Sequence, residues 1–376
     1  MPRSAIVVGG TGPTGPGTVN GLLARGVDVT ILHSGLHETT FDREVEHIHT
    51  DAHSLEAMET ELAGRTFDVG IAMYGRLRHV ATALARRVGQ LIAVGGVFYE
   101  GWINDQFHTT PNGEIAETPR PPYTFPPVPM PEDAPMDTNP DNGFARRALA
   151  SERLVMDLHA RGVVSATMLR FPKVYGPGAI APIEWSVVRR ALDRRPAMIV
   201  PDGGLVQETK VHAANASAAV LAVVDHPDEA AGETVNVGDD RPVTTREWIT
   251  ILASALDHRF DLVSLPFDVA APSFPYARDP WTICHHVLDL TKLRTRLRWR
   301  PVVGVEDGLA ATAHHLAAHP LETGGEQERQ AGDPFDYEWE DEFLEAARAL
   351  RSRLEALPEP AFRYRHPYRH PTEVAT

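Results

Sequence analysis

The chain has a single cysteine, Cys284, among its 376 residues. An internal disulfide and a zinc site built from several thiolates are both excluded. No apolar run is long enough to cross a bilayer, and because the amino terminus leads at once into a strand-like run, no cleaved leader is expected. A cytoplasmic protein that makes no use of membranes is expected. A basic excess is missing too: 36 Lys and Arg stand against 51 Asp and Glu, for a formal net charge of −15. With no surplus of cations to offset phosphate charge, nucleic acid is not an expected partner. Internal repeats are absent. The sequence Cys284-His285-His286 invites a metal, yet neighbouring residues on an extended strand point to opposite faces. An ordinary structural role is expected there, and no metal site.

What the chain does have is enough apolar residue, 43%, to bury a large core, and a length that fits one large or two medium domains. Its organising stretch is Ala5-Ile-Val-Val-Gly9-Gly10-Thr11-Gly12-Pro13-Thr14-Gly15. Residues 4–8 read as a buried parallel strand, and Gly9, Gly12 and Gly15 as a turn that lets the backbone approach a pyrophosphate and pack helix on sheet. Unpaired N–H groups at the start of the following helix would face the phosphates. Pro13 and Pro16 fit, because a first helical turn has no intrahelical bonds for proline to remove.

Beyond this turn, strands are expected at 27–32, 46–49, 67–73, 90–94 and 164–170, with helices at 53–63, 77–87 and 144–160 between them. Such alternation implies an α/β fold, a doubly wound parallel sheet whose ligand crevice lies at the carboxyl ends of the strands. From Phe98 to Asp141 the periodicity fails, and a proline-rich stretch marks a long insertion leaving the fifth strand; it is expected to wall or cover a substrate site. Later elements alternate less regularly, with helices at 182–194, 214–225 and 244–257 and strands at 197–200, 234–237 and 261–265. They read as a smaller α+β carboxy-terminal lobe. An acidic segment, 322–342, is expected to precede a helix at 342–357, and the aromatic, basic tail from Phe362 could clasp its own chain or a second copy, so a homodimer is admitted.

The ordered motifs Gly9–Gly15, Leu169-Arg-Phe-Pro with Val174-Tyr-Gly-Pro-Gly, Val211-His212, Asn236-Val-Gly and Leu297-Arg-Trp-Arg-Pro resemble the extended short-chain dehydrogenases, the NAD-dependent epimerase/dehydratase family. The resemblance covers residue 5 to about residue 310. It implies a Rossmann domain at 1–172, carrying the insertion at 98–141, and a substrate lobe at 173–376, with parts of 205–237 returning to the first domain. It also implies a nicotinamide cofactor and a small-molecule substrate. The family uses a Ser or Thr after the fifth strand and a Tyr-x-x-x-Lys on the next long helix. Alignment on Ala150-Ser-Glu-Arg-Leu154 puts Phe144 at the tyrosine, Ala148 at the lysine, and Gly95 or Gly96 at the serine. Phenylalanine and alanine carry no exchangeable side-chain proton, so they cannot act as general acid or base.

Substitute candidates are Tyr99, Lys173 and Tyr175, each just past the carboxyl end of a strand. For the cofactor, Gly9, Gly12, Pro13, Thr14 and Gly15 would hold the pyrophosphate, while His33 and Ser34 would meet the ribose or its phosphate. Asp51 resembles the residue that binds the adenine amino group. Because His33-Ser34-Gly35 offers no carboxylate to repel a 2′-phosphate, NADP is expected, with NAD the alternative. The function expected is an atypical NAD(P)-dependent oxidoreductase or isomerase of a small metabolite. A redox-neutral lyase or cyclase, and a noncatalytic nucleotide sensor, are the alternatives.

Overall fold

The structure, a computed structural model, describes residues 4–102, 126–138, 143–267, 269–270, 284–359, 361 and 368. Much of the expected insertion (103–125 and 139–142) and most of the tail after Phe362 lie outside the described residues. The chain divides into two compact units, 1–335 and 336–376.

The first unit begins with β1 (Ser4–Val8), α1 (Gly15–Ala24), β2 (Asp28–His33), β3 (Glu46–His49), α2 (Leu55–Glu61), β4 (Phe67–Ala72), α3 (Leu77–Leu84) and β5 (Val88–Gly96). Next come α4 (Gly143–Ala160), β6 (Ser165–Phe171), β7 (Val174–Tyr175), α5 (Glu184–Leu192), β8 (Ala197–Pro201), β9 (Gln207–Glu208) and β10 (Val211–His212). They are followed by α6 (Ala213–Asp225), α7 (Pro227–Ala230), β11 (Thr234–Asn236), β12 (Val243–Thr244), α8 (Thr245–Ser254) and β13 (Asp261–Leu265). The unit closes with α9 (Thr291–Thr295), α10 (Val305–Ala318) and α11 (Glu326–Ala331).

Seven of the strands form one parallel sheet in the order β11-β6-β5-β4-β1-β2-β3. Its first six strands in sequence follow the doubly wound nucleotide-binding order, which reverses direction between β1 and β4 and leaves a ligand crevice at that point. The strands read as apolar runs because both faces are covered. Ala5, Val7 and Ile31 pack with Val19 and Leu22 of α1 and Val220 of α6, whereas Ile6, Val8 and Leu32 pack with Met58, Leu84 and Val155 on the other side. Strand β5 extends two residues past the expected Val94, since Gly95 and Gly96 continue the pairing with Arg170 and Phe171. A further core joins α5, α8 and α10 to β8, with Trp185, Val188, Val200, Trp248, Leu252 and Leu309 at its centre.

The second unit is built on α12 (Tyr337–Glu355). It starts ahead of the expected residue 342 because Asp336 caps it, accepting a hydrogen bond from the Trp339 N–H at 3.1 Å. Glu338 and Glu340 thus lie in its first turn, where carboxylates offset the positive end of the helix dipole.

Candidate active site

The glycine turn leaves β1 at the switch point, and its glycines are not equivalent. A Cβ on Gly9, whose φ is +95°, would lie 2.2 Å from Tyr74 Cβ, and one on Gly15 would lie 2.0 Å from the Gly10 carbonyl oxygen. A Cβ on Gly12 would meet nothing nearer than the Gly9 oxygen at 3.8 Å. Gly9 and Gly15 are therefore demanded by the fold, while Gly12 presents open space. The turn is tied down from behind: Thr18 and Ser217 both donate to the Thr14 carbonyl at 2.8 Å, joining the start of α1 to α6. Thr14 is buried and Pro13 half-buried, so the two act as walls of the turn.

At the end of β2, His33 is buried and Ser34 exposed. The His33 ring meets His47 Nδ1 at 3.0 Å, and Glu38 reaches in from the loop that follows. Burial, more than any neighbouring charge, pushes the His33 imidazole below its ordinary range. Asp51 lies just past β3 with an exposed carboxylate that accepts from the His53 N–H at 2.8 Å; that bond is the main cause of its lowered pKa.

A cavity of about 530 Å³ opens at the carboxyl ends of β4 and β5, lined by Gly95, Gly96, Phe98, Phe144, Arg147, Ala148 and Glu152 among others. Phe144, Ala148, Gly95 and Gly96, which the resemblance aligns with the family's proton-handling residues, all line it. They are filled rather than vacant. A Cβ on Gly95 would lie 2.2 Å from Met168 Cε, one on Gly96 would lie 2.9 Å from the Phe98 ring, and Phe98 meets Phe144 edge to face at 5.5 Å.

Of the substitute candidates, Tyr99 and Tyr175 are fully buried in polar networks. The Tyr99 hydroxyl donates to Asn236 Oδ1 at 2.7 Å and accepts from Arg170 Nη1 at 2.8 Å, while Arg170 is itself paired with Glu152 at 2.5 Å. Burial raises the Tyr99 pKa and the Arg170 charge opposes it. Tyr175 donates to Asp239 Oδ2 at 2.7 Å, and burial together with that carboxylate drives its pKa far upward. Lys173 alone is exposed. It stands near Glu184 and Glu208, each of whose carboxyl groups feels its charge.

Around those two acids lies a buried polar cluster. Glu184 is 1% exposed and its Oε1 has no hydrogen-bond partner, so burial raises its pKa. Glu208 pairs with Lys210, whose ammonium sits 4.5 Å from the centre of the Trp248 ring. Burial would push the Glu208 carboxyl up, but Lys210 and its neighbours hold it at about 2. His286 packs on Trp102 at 4.9 Å, has no partner for Nε2, and is pushed by burial to about 4. Its neighbour His285 accepts from the Gln207 N–H at 3.1 Å.

Residues 122–238 match the model of the NAD dependent epimerase/dehydratase family. This is the family that the motifs resemble. The match takes in β6, the Val174–Pro177 turn and β11, just under a third of the chain. UDP-D-apiose/UDP-D-xylose synthase 2 and synthase 1 of Arabidopsis thaliana are each 28% identical over 145 residues, 38% of this chain. The matched part spans 37% of the length of either relative. Among solved structures, UDP-glucose 4-epimerase of Thermotoga maritima with UDP-glucose superposes with a TM-score of 0.62 at 18% identity, covering 85% of this chain and 100% of that one. The Bifidobacterium longum UDP-glucose 4-epimerase with NAD+ and UDP has a TM-score of 0.62 at 17% identity, covering 84% and 98%. These likenesses establish a Rossmann-type fold.

An epimerase/dehydratase-like reading of the sequence could place the glycine turn but not the buried cluster, whose members come from α5, β9 and the segment after 284. Glu208-x-Lys210, two opposite charges two residues apart, is one local signal for that cluster. His47-x-His49, beside a strand ending in His33, is a second signal, for a different group. Among the described residues no helix is long and apolar enough to cross a membrane.

Proposed function

We propose that the chain is a nicotinamide-dinucleotide-dependent enzyme, an atypical oxidoreductase or isomerase of a small metabolite resembling the UDP-sugars of its relatives. The observation that carries this reading is the open face of Gly12, set between crowded glycines at the switch point of the sheet. A cofactor bound there would take up or return a hydride. The turn's N–H groups and the start of α1 receive its phosphates, Asp51 its adenine, and His33 and Ser34 its ribose. Glu38 brings a carboxylate to the end of β2 from the loop, which supports NAD over the NADP expected from His33-Ser34-Gly35.

Proton transfer is assigned to Lys173. It is the one candidate with an exposed side chain, and it stands by the acids Glu184 and Glu208. Phe98 and Phe144 give one stretch of the cavity wall an aromatic, proton-free face, beside Arg147 and Glu152. That wall also supports a second reading, a redox-neutral elimination or cyclisation in which positioning counts for more than acid–base assistance. Calorimetry with NAD, NADP and their reduced forms, followed by incubation with UDP-sugars and product analysis by NMR, tests the proposal. Binding of a dinucleotide with turnover is expected. Absence of any dinucleotide binding overturns the reading, and binding without turnover favours a sensor.

A further inference from the structure

Strands β2 and β3 end side by side, with His33 in register with His49. Paired residues of neighbouring parallel strands share a face of the sheet, and His47 shares it as well because side chains alternate along a strand. Ile48 between them points to the opposite face, where it packs with Leu32. Three imidazoles thus gather on one face at the sheet edge, His33 lying 4.7 Å from His49 and 5.1 Å from His47 between ring centres. The connecting loop turns at Gly35, whose φ is +76°, and delivers Glu38 into the group. Glu38 Oε1 lies 3.4 Å from His49 Nε2 and 3.9 Å from His33 Nε2, and its Oε2 lies 3.4 Å from His47 Nδ1. The four candidate donor atoms all fall within 4.8 Å of one another.

We propose that His33, His47, His49 and Glu38 bind a divalent transition-metal ion of the zinc class. Three imidazoles and one carboxylate suit zinc, whereas calcium and magnesium take oxygen sets. In a tetrahedral site with metal–donor bonds of about 2.0–2.1 Å, neighbouring donors stand about 3.3 Å apart. Three of the separations, at 3.0, 3.4 and 3.4 Å, are already near that value, and rotations of the exposed Glu38 and His49 side chains would bring in the others. The histidines are held on strands, so most of the ordering is done before an ion arrives. An anion is the poorer occupant, because the Glu38 carboxylate lies in the middle of the group.

His33 is the buried member of the group. Its Nδ1 accepts a long bond from the Gly35 N–H at 3.3 Å. With an ion on Nε2 the ring proton sits on Nδ1, so that contact is given up and the loop shifts locally at Gly35. The ion then fastens the 34–45 loop to the sheet edge. The site shares His33 and Glu38 with the ribose end of the dinucleotide reading, so ion and dinucleotide would compete there, and its test is made with no dinucleotide present.

The test uses the full chain without an affinity tag, stripped with chelator and titrated with zinc against a chromophoric competitor. Cobalt is added separately, to read geometry from its visible bands. The expected result is one zinc ion per chain, intense tetrahedral cobalt bands, and their loss in the His47→Gln/His49→Gln double variant. Loss of an outer-shell partner alone costs metal sites about 10- to 100-fold in affinity, so the double variant should bind at least about 100-fold more weakly. Far-ultraviolet circular dichroism checks that it folds, and Glu38→Gln, on the exposed loop, supplies a second variant that leaves the sheet untouched. Absence of tight binding to the intact chain overturns the proposal. So does zinc binding that persists unchanged in both folded variants, since the ion would then be held elsewhere among the chain's other histidines.

Discussion

The turn after β1 and the start of α4 both face the carboxyl ends of the sheet, yet they have been treated differently. In the turn, the two glycines that the fold needs are crowded, and the one a ligand would need is open. At α4 and the end of β5, the positions that the resemblance aligns with the family's proton-handling residues carry Phe144, Ala148 and Gly95 or Gly96, with Phe98 packed on Phe144 and Met168 beside Gly95. The comparison teaches that a binding element and a reactive element can part company within one fold. An open backbone face is preserved by geometry, and the side chains around the cavity are free to change its chemistry.

The largest expected effects lie in the turn. Gly15→Ala should prevent the unit from folding, because its Cβ would lie 2.0 Å from a backbone oxygen that has nowhere to go. Gly12→Val should fold with an almost unchanged melting temperature and bind no dinucleotide by calorimetry. If Gly12→Val bound as well as the wild type, the open face would have another purpose and the comparison would collapse.

Next in size is Lys173→Met, which should lower turnover on the true substrate by about 10²- to 10⁴-fold, the range for losing a general acid or base, with dinucleotide affinity unchanged. Restoring Phe144→Tyr with Ala148→Lys should add little, since the position aligned with the family's serine stays a glycine, Gly95 or Gly96. A silent Lys173→Met beside a restoration that created hydride transfer would assign the natural protein to redox-neutral or noncatalytic work. Smaller again is Tyr99→Phe. It removes a hydroxyl bonded to Asn236 and Arg170 and should cost about 1–3 kcal/mol of stability by leaving buried partners unmatched. Turnover per folded molecule should hold. A hundredfold fall in turnover with no loss of stability would instead make Tyr99 the acid.

The order of the elements was legible because apolar runs and glycine turns are local signals: β3 and β13 fall where expected, and α1 begins at Gly15. The ends were less so. Strand β5 runs on through two glycines because pairing with β6, and no property of glycine itself, decides its length. In the candidate site, the glycine turn could be read from one contiguous stretch. Tyr99 and Tyr175 could be listed as proton donors from position alone, but their burial beside Asn236 and Asp239 depends on residues more than 60 positions away. The His33, His47, His49 and Glu38 group illustrates the same limit. Its members are close in sequence, but only the register of β2 on β3 makes them neighbours.

The smallest effect sharpens the cofactor side of the comparison. Glu38 carries its carboxylate to the end of β2, 3.9 Å from His33 Nε2, where the 2′-phosphate of NADP would add negative charge. Relieving that repulsion with Glu38→Gln should shift preference toward NADP. The group is 54% exposed, so water and salt screen it, and the gain should be about 1 kcal/mol or less, at most about fivefold. The measurement is a pair of calorimetric titrations, NAD and NADP, on wild type and variant, run in chelator so that no metal ion contributes. Raising the salt should shrink the difference between the two proteins, because an exposed charge acts through solvent. A shift toward NAD on removing Glu38 would mean that the carboxylate does not face the ribose, and the dinucleotide would then have to enter this end of the sheet along another line.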